Sequence, residues 1–170
     1  MHREGHIGIG HLLYSPMAFV LALYEAWTLL ALGLVGITFF SYAPDFDLQM
    51  PLVDHRGITH TYLAAGVAGF LSTLVAGWLA AEGIATIGGL SSLVSTLVVA
   101  AFGFLVGALG VLSHLLGDVL TPMGINPWQP FGGETVSLEL VYASNRWANG
   151  ALSLAGGLAL VAATVGGALA

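Results

Sequence analysis

LSSLVSTLVVAAFGFLVGALGVLSHLLGDVL, residues 90–120, decides how this chain folds. Coiled as one helix it would run roughly 46 Å at 1.5 Å per residue, more than the roughly 30 Å a hydrocarbon core requires. It therefore reads as a membrane span with length to spare. Its last turns, SHLLGDVL (113–120), are expected near one membrane face rather than at mid-bilayer, with Thr121-Pro122 as the break. His114 and Asp118 stand four residues apart, and on a helix such positions share a face. An imidazole and a carboxylate so placed serve either as two ligands of one metal ion or as an acid/base pair. An apolar run has no packing reason to carry both.

Composition extends the membrane reading to the whole chain. Of 170 residues, 57% are hydrophobic and 7% charged, where a soluble domain carries about 25% charged residues. With a mean hydropathy of +0.92, the chain cannot cover a water-facing surface. It is expected to be a multi-pass protein of the cell membrane, and its length suits one domain over residues 1–170. Cysteine is absent, which excludes disulfides and thiolate metal sites. Any metal must be held by His, Asp or Glu, a donor set that favours zinc, with manganese or iron as alternatives. Lysine is also absent, and the basic residues are Arg3, Arg56 and Arg146. That is too little positive charge to neutralise phosphates, so nucleic acid is not a partner. The N-terminus carries His2, Glu4 and His6 in place of a basic n-region, and is not read as a cleaved signal peptide.

Working outward from residues 90–120, the predicted fold is all-α: a polytopic bundle of about five transmembrane helices at about 6–22, 26–42, 58–81, 90–120 and 150–169. The first two come from splitting the apolar run Gly5–Phe40 near Tyr24-Glu25, where the one charge reaches water; the alternative keeps Glu25 inside a single helix starting after Pro16. Ser41–Gly57, SYAPDFDLQMPLVDHRG, holds two prolines and four charges and cannot span. Gly83–Gly89 suits a turn between antiparallel helices. A polar loop follows from Thr121 to about Asn149, where Trp128 and Trp147 fit an interfacial belt. Gly103 and Gly107 make a GxxxG spacing, read as helix packing.

Threading five helices brings the polar residues to one membrane face. Helix 1 starts there with His6, helix 2 ends there before Asp45 and Asp47, and helix 3 leaves from His55, Arg56 and His60. Helix 4 returns with His114 and Asp118, and helix 5 departs after Asn145, Arg146 and Asn149. Only Glu25 and Glu82 among the charges fall on the opposite face. The arginines divide three to none, which the positive-inside rule reads as a cytoplasmic site face, N-terminus in and C-terminus out.

Each constellation has a plain reading beside the chemical one. Asp45-Phe46-Asp47 follows Pro44 and is predicted extended, so both carboxylates point one way and invite a cation; otherwise they are a solvated helix end. In His55-Arg56-Gly57-Ile58-Thr59-His60, Gly57 allows a tight turn, and Thr59 is placed to cap helix 3. His60 would then be a ligand in the first turn or an interfacial histidine. Arg56 either clamps a phosphate or developing oxyanion or pairs with Asp54. His6 is a ligand or N-terminal polarity. His11 is second to the site or packing, His2 is free, and Glu134 and Glu139 are solvation. The ligand candidates are Asp45, Asp47, His60, His114 and Asp118, with His55 and His6 in reserve. A single zinc takes three or four protein ligands, so a set this large suggests one or two divalent ions.

PDFD (44–47), HRGITH (55–60), SHLLGDVLTPMG (113–124) and PWQPF (127–131) together resemble the YdjM-like family of inner-membrane metal-dependent hydrolases. Gly5-His6 looks like that family's N-terminal Gly-His, and the likeness covers roughly residues 5–131. By resemblance, His6, Asp45, Asp47, His55, Arg56, His60, His114 and Asp118 are the positions to carry over. Leu48 departs from the pattern where a His would follow PDxD, and Thr61 stands where Ser commonly follows TH.

The function expected is metal-assisted hydrolysis, with His55 or a free carboxylate moving the proton and Arg56 holding the anionic oxygen. A site at headgroup depth points to membrane lipids as partners and to an amphiphilic substrate, plausibly a lipid phosphoester. The alternatives are a non-catalytic scaffold whose metal ties helix ends together, and a metal or proton transporter, although transport sites belong near the midplane.

Overall fold

The computed structural model describes residues 1–51 and 54–170. It is all-helical among those residues: α1 (Arg3–Leu23), α2 (Trp27–Phe40), α3 (Tyr62–Ala81), α4 (Ser92–Val119) and α5 (Arg146–Leu169), with 3-10 segments at Ala43–Gln49 and Ile58–His60. Ile125 and Val136 form one isolated antiparallel bridge in the loop after α4. Five helical stretches, the second running from Trp27 through Gln49, are long and apolar enough to cross a membrane. The chain is a multi-pass membrane protein.

The break between the first two helices lies at Tyr24–Ala26. Glu25 adopts φ +54° in a turn, so it does not lie within a single long helix. Pro16 is accommodated inside α1. Other ends differ from the predicted ones for local reasons. Helix α3 starts at Tyr62 because Thr61, not Thr59, is its cap: the Thr61 hydroxyl accepts from the Ala64 amide. His60 consequently sits in the 3-10 turn ahead of α3. Helix α5 starts at Arg146 because the Asn145 side chain accepts from the Trp147 and Ala148 amides, recruiting residues that composition assigns to the loop. Helix α2 stops at Phe40, and the chain tightens into the 3-10 helix that has Pro44 near its start, the position where proline's missing N–H costs nothing. The Asp-Phe-Asp stretch is thus helical, not extended.

Helix α1 packs along α5 and α3 along α4, while α4 also meets α1 and α2. Helices in lipid gain little from apolar burial against each other and rely on close van der Waals approach. Small residues provide it here. A Cβ at Gly156 would press on the Gly8 carbonyl across α1 and α5, and one at Gly107 would lie 2.5 Å from the Ala68 carbonyl oxygen across α3 and α4. Tyr14, Ala18, Ile37 and Val106 fill the space where α1, α2 and α4 meet.

Gly107→Ala is therefore expected to destabilise the bundle by about 1–3 kcal/mol, the usual cost of overpacking. Gly66→Ala, on the same helix pair but with open space at its Cβ, is expected to leave the unfolding midpoint in detergent unchanged. Equal midpoints for the two variants would contradict this packing.

Candidate metal centre

Four elements deliver the polar side chains to one point. His6 comes from the first turns of α1, Asp45 and Asp47 from the 3-10 helix after α2, and His60 from the 3-10 turn before α3. His114 and Asp118 come from the end of α4. His6, Asp47, His60, His114 and Asp118 are buried, whereas the Asp45 side chain is 25% exposed and that of His55 is 35% exposed. His6 reaches the cluster because position 117 is glycine: a Cβ there would lie 2.6 Å from its Nδ1.

Hydrogen bonds on the outer side of each ring decide what the inner side offers. His114 Nδ1 lies 2.9 Å from the Ser41 carbonyl oxygen. A carbonyl only accepts, so Nδ1 carries the proton, and in the neutral ring Nε2 presents its lone pair inward. The Thr59 hydroxyl donates to Asp47 Oδ2 at 2.6 Å. His60 Nδ1, 2.9 Å from Thr59 Oγ1 and 3.3 Å from Asp47 Oδ2, must therefore donate as well. Its Nε2 also points inward with a lone pair.

The inner surface is thus made of acceptors. His60 Nε2 and His114 Nε2 are 3.1 Å apart. Asp45 Oδ1 lies 3.6 Å from the first and 3.4 Å from the second, and Asp118 Oδ2 lies 3.5 Å from both. Four acceptors so close repel one another unless a proton or a metal cation lies among them. Donors at about 2.0–2.1 Å from a shared tetrahedral centre stand about 3.3 Å apart, which matches these separations. Two wider sets, His6 with His114 and Asp118, and Asp45 with His55 and His60, also have donor atoms within 4.8 Å of one another. The residues present fit one or two divalent ions.

His6 stacks face to face on His114, ring centroids 3.7 Å apart. Neither of its nitrogens has a hydrogen-bond partner among the described residues, and its Nε2 is 3.5 Å from Asp118 Oδ1. That same oxygen accepts from the Met1 amine at 2.7 Å and from Arg56 Nη2 at 3.1 Å. Asp118 therefore turns Oδ2 to His60 and His114, and Oδ1 to the Met1 amine, Arg56 and His6. Arg56 also donates from Nη1 to the Gly124 carbonyl at 2.7 Å, while its buried Nε has no partner among the described residues. Its guanidinium pairs with Asp118 and not with Asp54. The left-handed residue of this turn is Arg56 itself, at φ +63°. Gly57 is required for a different reason, since a Cβ would lie 2.8 Å from the Asp54 carbonyl oxygen.

All eight residues singled out from the sequence therefore meet in one place. Asp47 differs from the others in what it faces: its oxygens contact His55 Nδ1 at 2.8 Å and the outer nitrogen of His60. His11 lies apart, within 2.9 Å of the Thr38 hydroxyl between α1 and α2. Glu134 and Glu139 are exposed, as are Trp128 and Trp147. Leu48 is also exposed, outside the buried cluster. Sequence reasoning missed Ser41, which acts through a backbone carbonyl, and the Met1 amine; neither carries a residue-type signal. Thr59, read as a cap, instead joins Asp47 to His60. Its place within HRGITH was the available clue.

The model of the family described as YdjM inner membrane protein matches residues 1–170, so the likeness extends through α5. No curated protein and no solved structure matches the chain.

Protein purified in detergent is expected to carry one or two equivalents of metal by mass spectrometry, lost in Asp118→Ala with helical content retained. Asp47→Asn is expected to keep the metal but weaken binding about 10–100-fold, as loss of a partner behind a ligand does. Chelator competition checks this, and unchanged affinity would remove Asp47 from its role behind His60.

Proposed function

The chain belongs to the YdjM inner membrane protein family, and from that membership and the His/Asp centre we propose that it is a membrane-embedded metal-dependent hydrolase. Its substrate would be amphiphilic, plausibly a lipid phosphoester, met at the membrane edge. The observation that carries this reading is a cluster of acceptors, otherwise buried, whose reachable edge is formed by Asp45 and His55. A structural zinc site is closed on all sides, whereas a catalytic one keeps an open position.

His60, His114, Asp45 and Asp118 would hold the ion, with zinc favoured and manganese or iron as alternatives. His6, within reach of His114 and Asp118, gives the set room for a second ion. A divalent ion supplies Lewis acidity there, polarising a phosphoryl oxygen and making water acidic enough to attack near neutral pH. The protein's own groups do the rest. Asp47 accepts from His55 Nδ1, which orients the ring and leaves Nε2 free to take a proton at the accessible edge. Arg56, anchored through both Nη atoms to Gly124 and Asp118, would place a fixed positive charge beside the centre for an anionic oxygen. The arginines on the site face make the cytoplasmic orientation the proposed one.

The scaffold reading draws on the same burial, since an ion among these donors would tie α4 to both 3-10 segments. Turnover separates the two. Zinc-loaded protein in mixed micelles is expected to release phosphate or headgroup from one member of a lipid-phosphoester panel. His55→Gln is expected to retain its zinc and lose about 10²–10⁴-fold in rate. A panel without turnover under zinc, manganese or iron, with chelation merely lowering the unfolding midpoint, would replace the hydrolase with the scaffold.

A further inference from the structure

Helices α2 and α3 pack on α4 rather than on each other. Between them runs a groove of about 260 Å³, lined by Leu29, Gly36 and Phe40 of α2, Leu71 and Leu79 of α3, and Val106 of α4. Its polar side chain is Ser72, whose Oγ has no partner. The rims carry exposed Val35, Leu71 and Val75, so the groove opens sideways to the bilayer.

Resting on the hydrolase reading, we propose that this groove seats one acyl chain of the substrate, a glycerolipid-type amphiphile whose polar end reaches the metal centre. Three observations converge. The first is solvent: a sideways opening in a membrane-spanning bundle is filled by hydrocarbon, and this lining offers hydrocarbon nothing to avoid beyond one hydroxyl. The second is length. From Leu29 to Phe40 the groove follows α2 for about 16 Å, a length over which an acyl chain can lie extended. The third is continuity. Beyond Phe40, α2 passes into the 3-10 helix with Asp45; ahead of α3 lies the turn with His60; below Val106 on α4, two turns on, stands His114. The three helices that wall the groove are the ones whose ends supply the four inward acceptors. The exposed edge of those acceptors, Asp45, belongs to the α2 wall. A lipid whose chain enters this groove at its Phe40 end thus has its headgroup at the level of the centre.

Photolabelling tests this on the full chain in vesicles of phosphatidylethanolamine and phosphatidylglycerol, doped with phosphatidylglycerol carrying a diazirine at mid-chain. Adducts mapped by mass spectrometry are expected on groove residues such as Leu71 and Phe102 at five times or more their frequency on the outward face of α5, at Leu158 and Val161. Val75→Trp, which fills the mouth from an exposed position, is expected to cut groove adducts at least threefold and leave those on α5 unchanged. A headgroup-labelled analogue is expected to mark Ala43–Gln49 and Ile58–His60. Even chain labelling over all exposed faces, indifference to Val75→Trp, or headgroup adducts near the Glu25 turn would each overturn the proposal. Zinc content of the same preparations reads the centre independently of the labels. Metal present with even labelling sinks the chain seat alone; metal absent sinks the hydrolase reading and with it the assignment of the chain to a substrate.

Discussion

Two imidazole nitrogens, Nε2 of His60 and His114, face each other 3.1 Å apart with both lone pairs turned inward. That contact organises the polar end of the molecule. It is unfavourable alone, and two carboxylates make it more so, yet the surroundings hold it in place from behind. The Ser41 carbonyl, at the end of α2, fixes one ring, and Thr59 with Asp47 fixes the other. Helix ends leave carbonyls without intrahelical partners, and here one of them sets a tautomer. The repulsion the fold builds is what a cation relieves, so the geometry of the rings and the chemistry of the centre are one arrangement.

The membrane explains why the arrangement sits where it does. A bilayer interior satisfies no stray polar group, so an apolar bundle gathers ionisable side chains at its ends. The extra length of α4 carries His114 and Asp118 toward that end, while glycines at the crossings bring the other helices close enough to meet them. Gly107 admits α3, and Gly117 admits the His6 ring. The small residues and the charged ones are parts of the same packing problem.

Much of this was legible in the sequence. Composition gave the membrane class, and alternating helix direction placed His6, Asp45, His60, His114 and Asp118 on one face before any contact was known. What stayed hidden was local. Pro44 suits an extended stretch by type, whereas the chain uses it to open a 3-10 helix that contacts α2 and α4. Either Thr59 or Thr61 suited a helix cap by type. Only the packed turn shows that Thr61 caps while Thr59 joins Asp47 to His60. The direction in which Asp47 points is likewise a tertiary fact, since its spacing from Asp45 is the same whether it faces a metal or the back of a histidine.

Arg56 holds a backbone conformation that side-chain-bearing residues adopt at a cost on the order of 1–3 kcal/mol, and the bonds of its guanidinium to Asp118 and Gly124 offset that cost. The turn is therefore a loaded spring whose catch is the carboxylate shared with the imidazoles. His55 stands next to Arg56 in the chain. The loop that carries the proposed base is thus tied through Arg56 to the same carboxylate that faces the imidazoles.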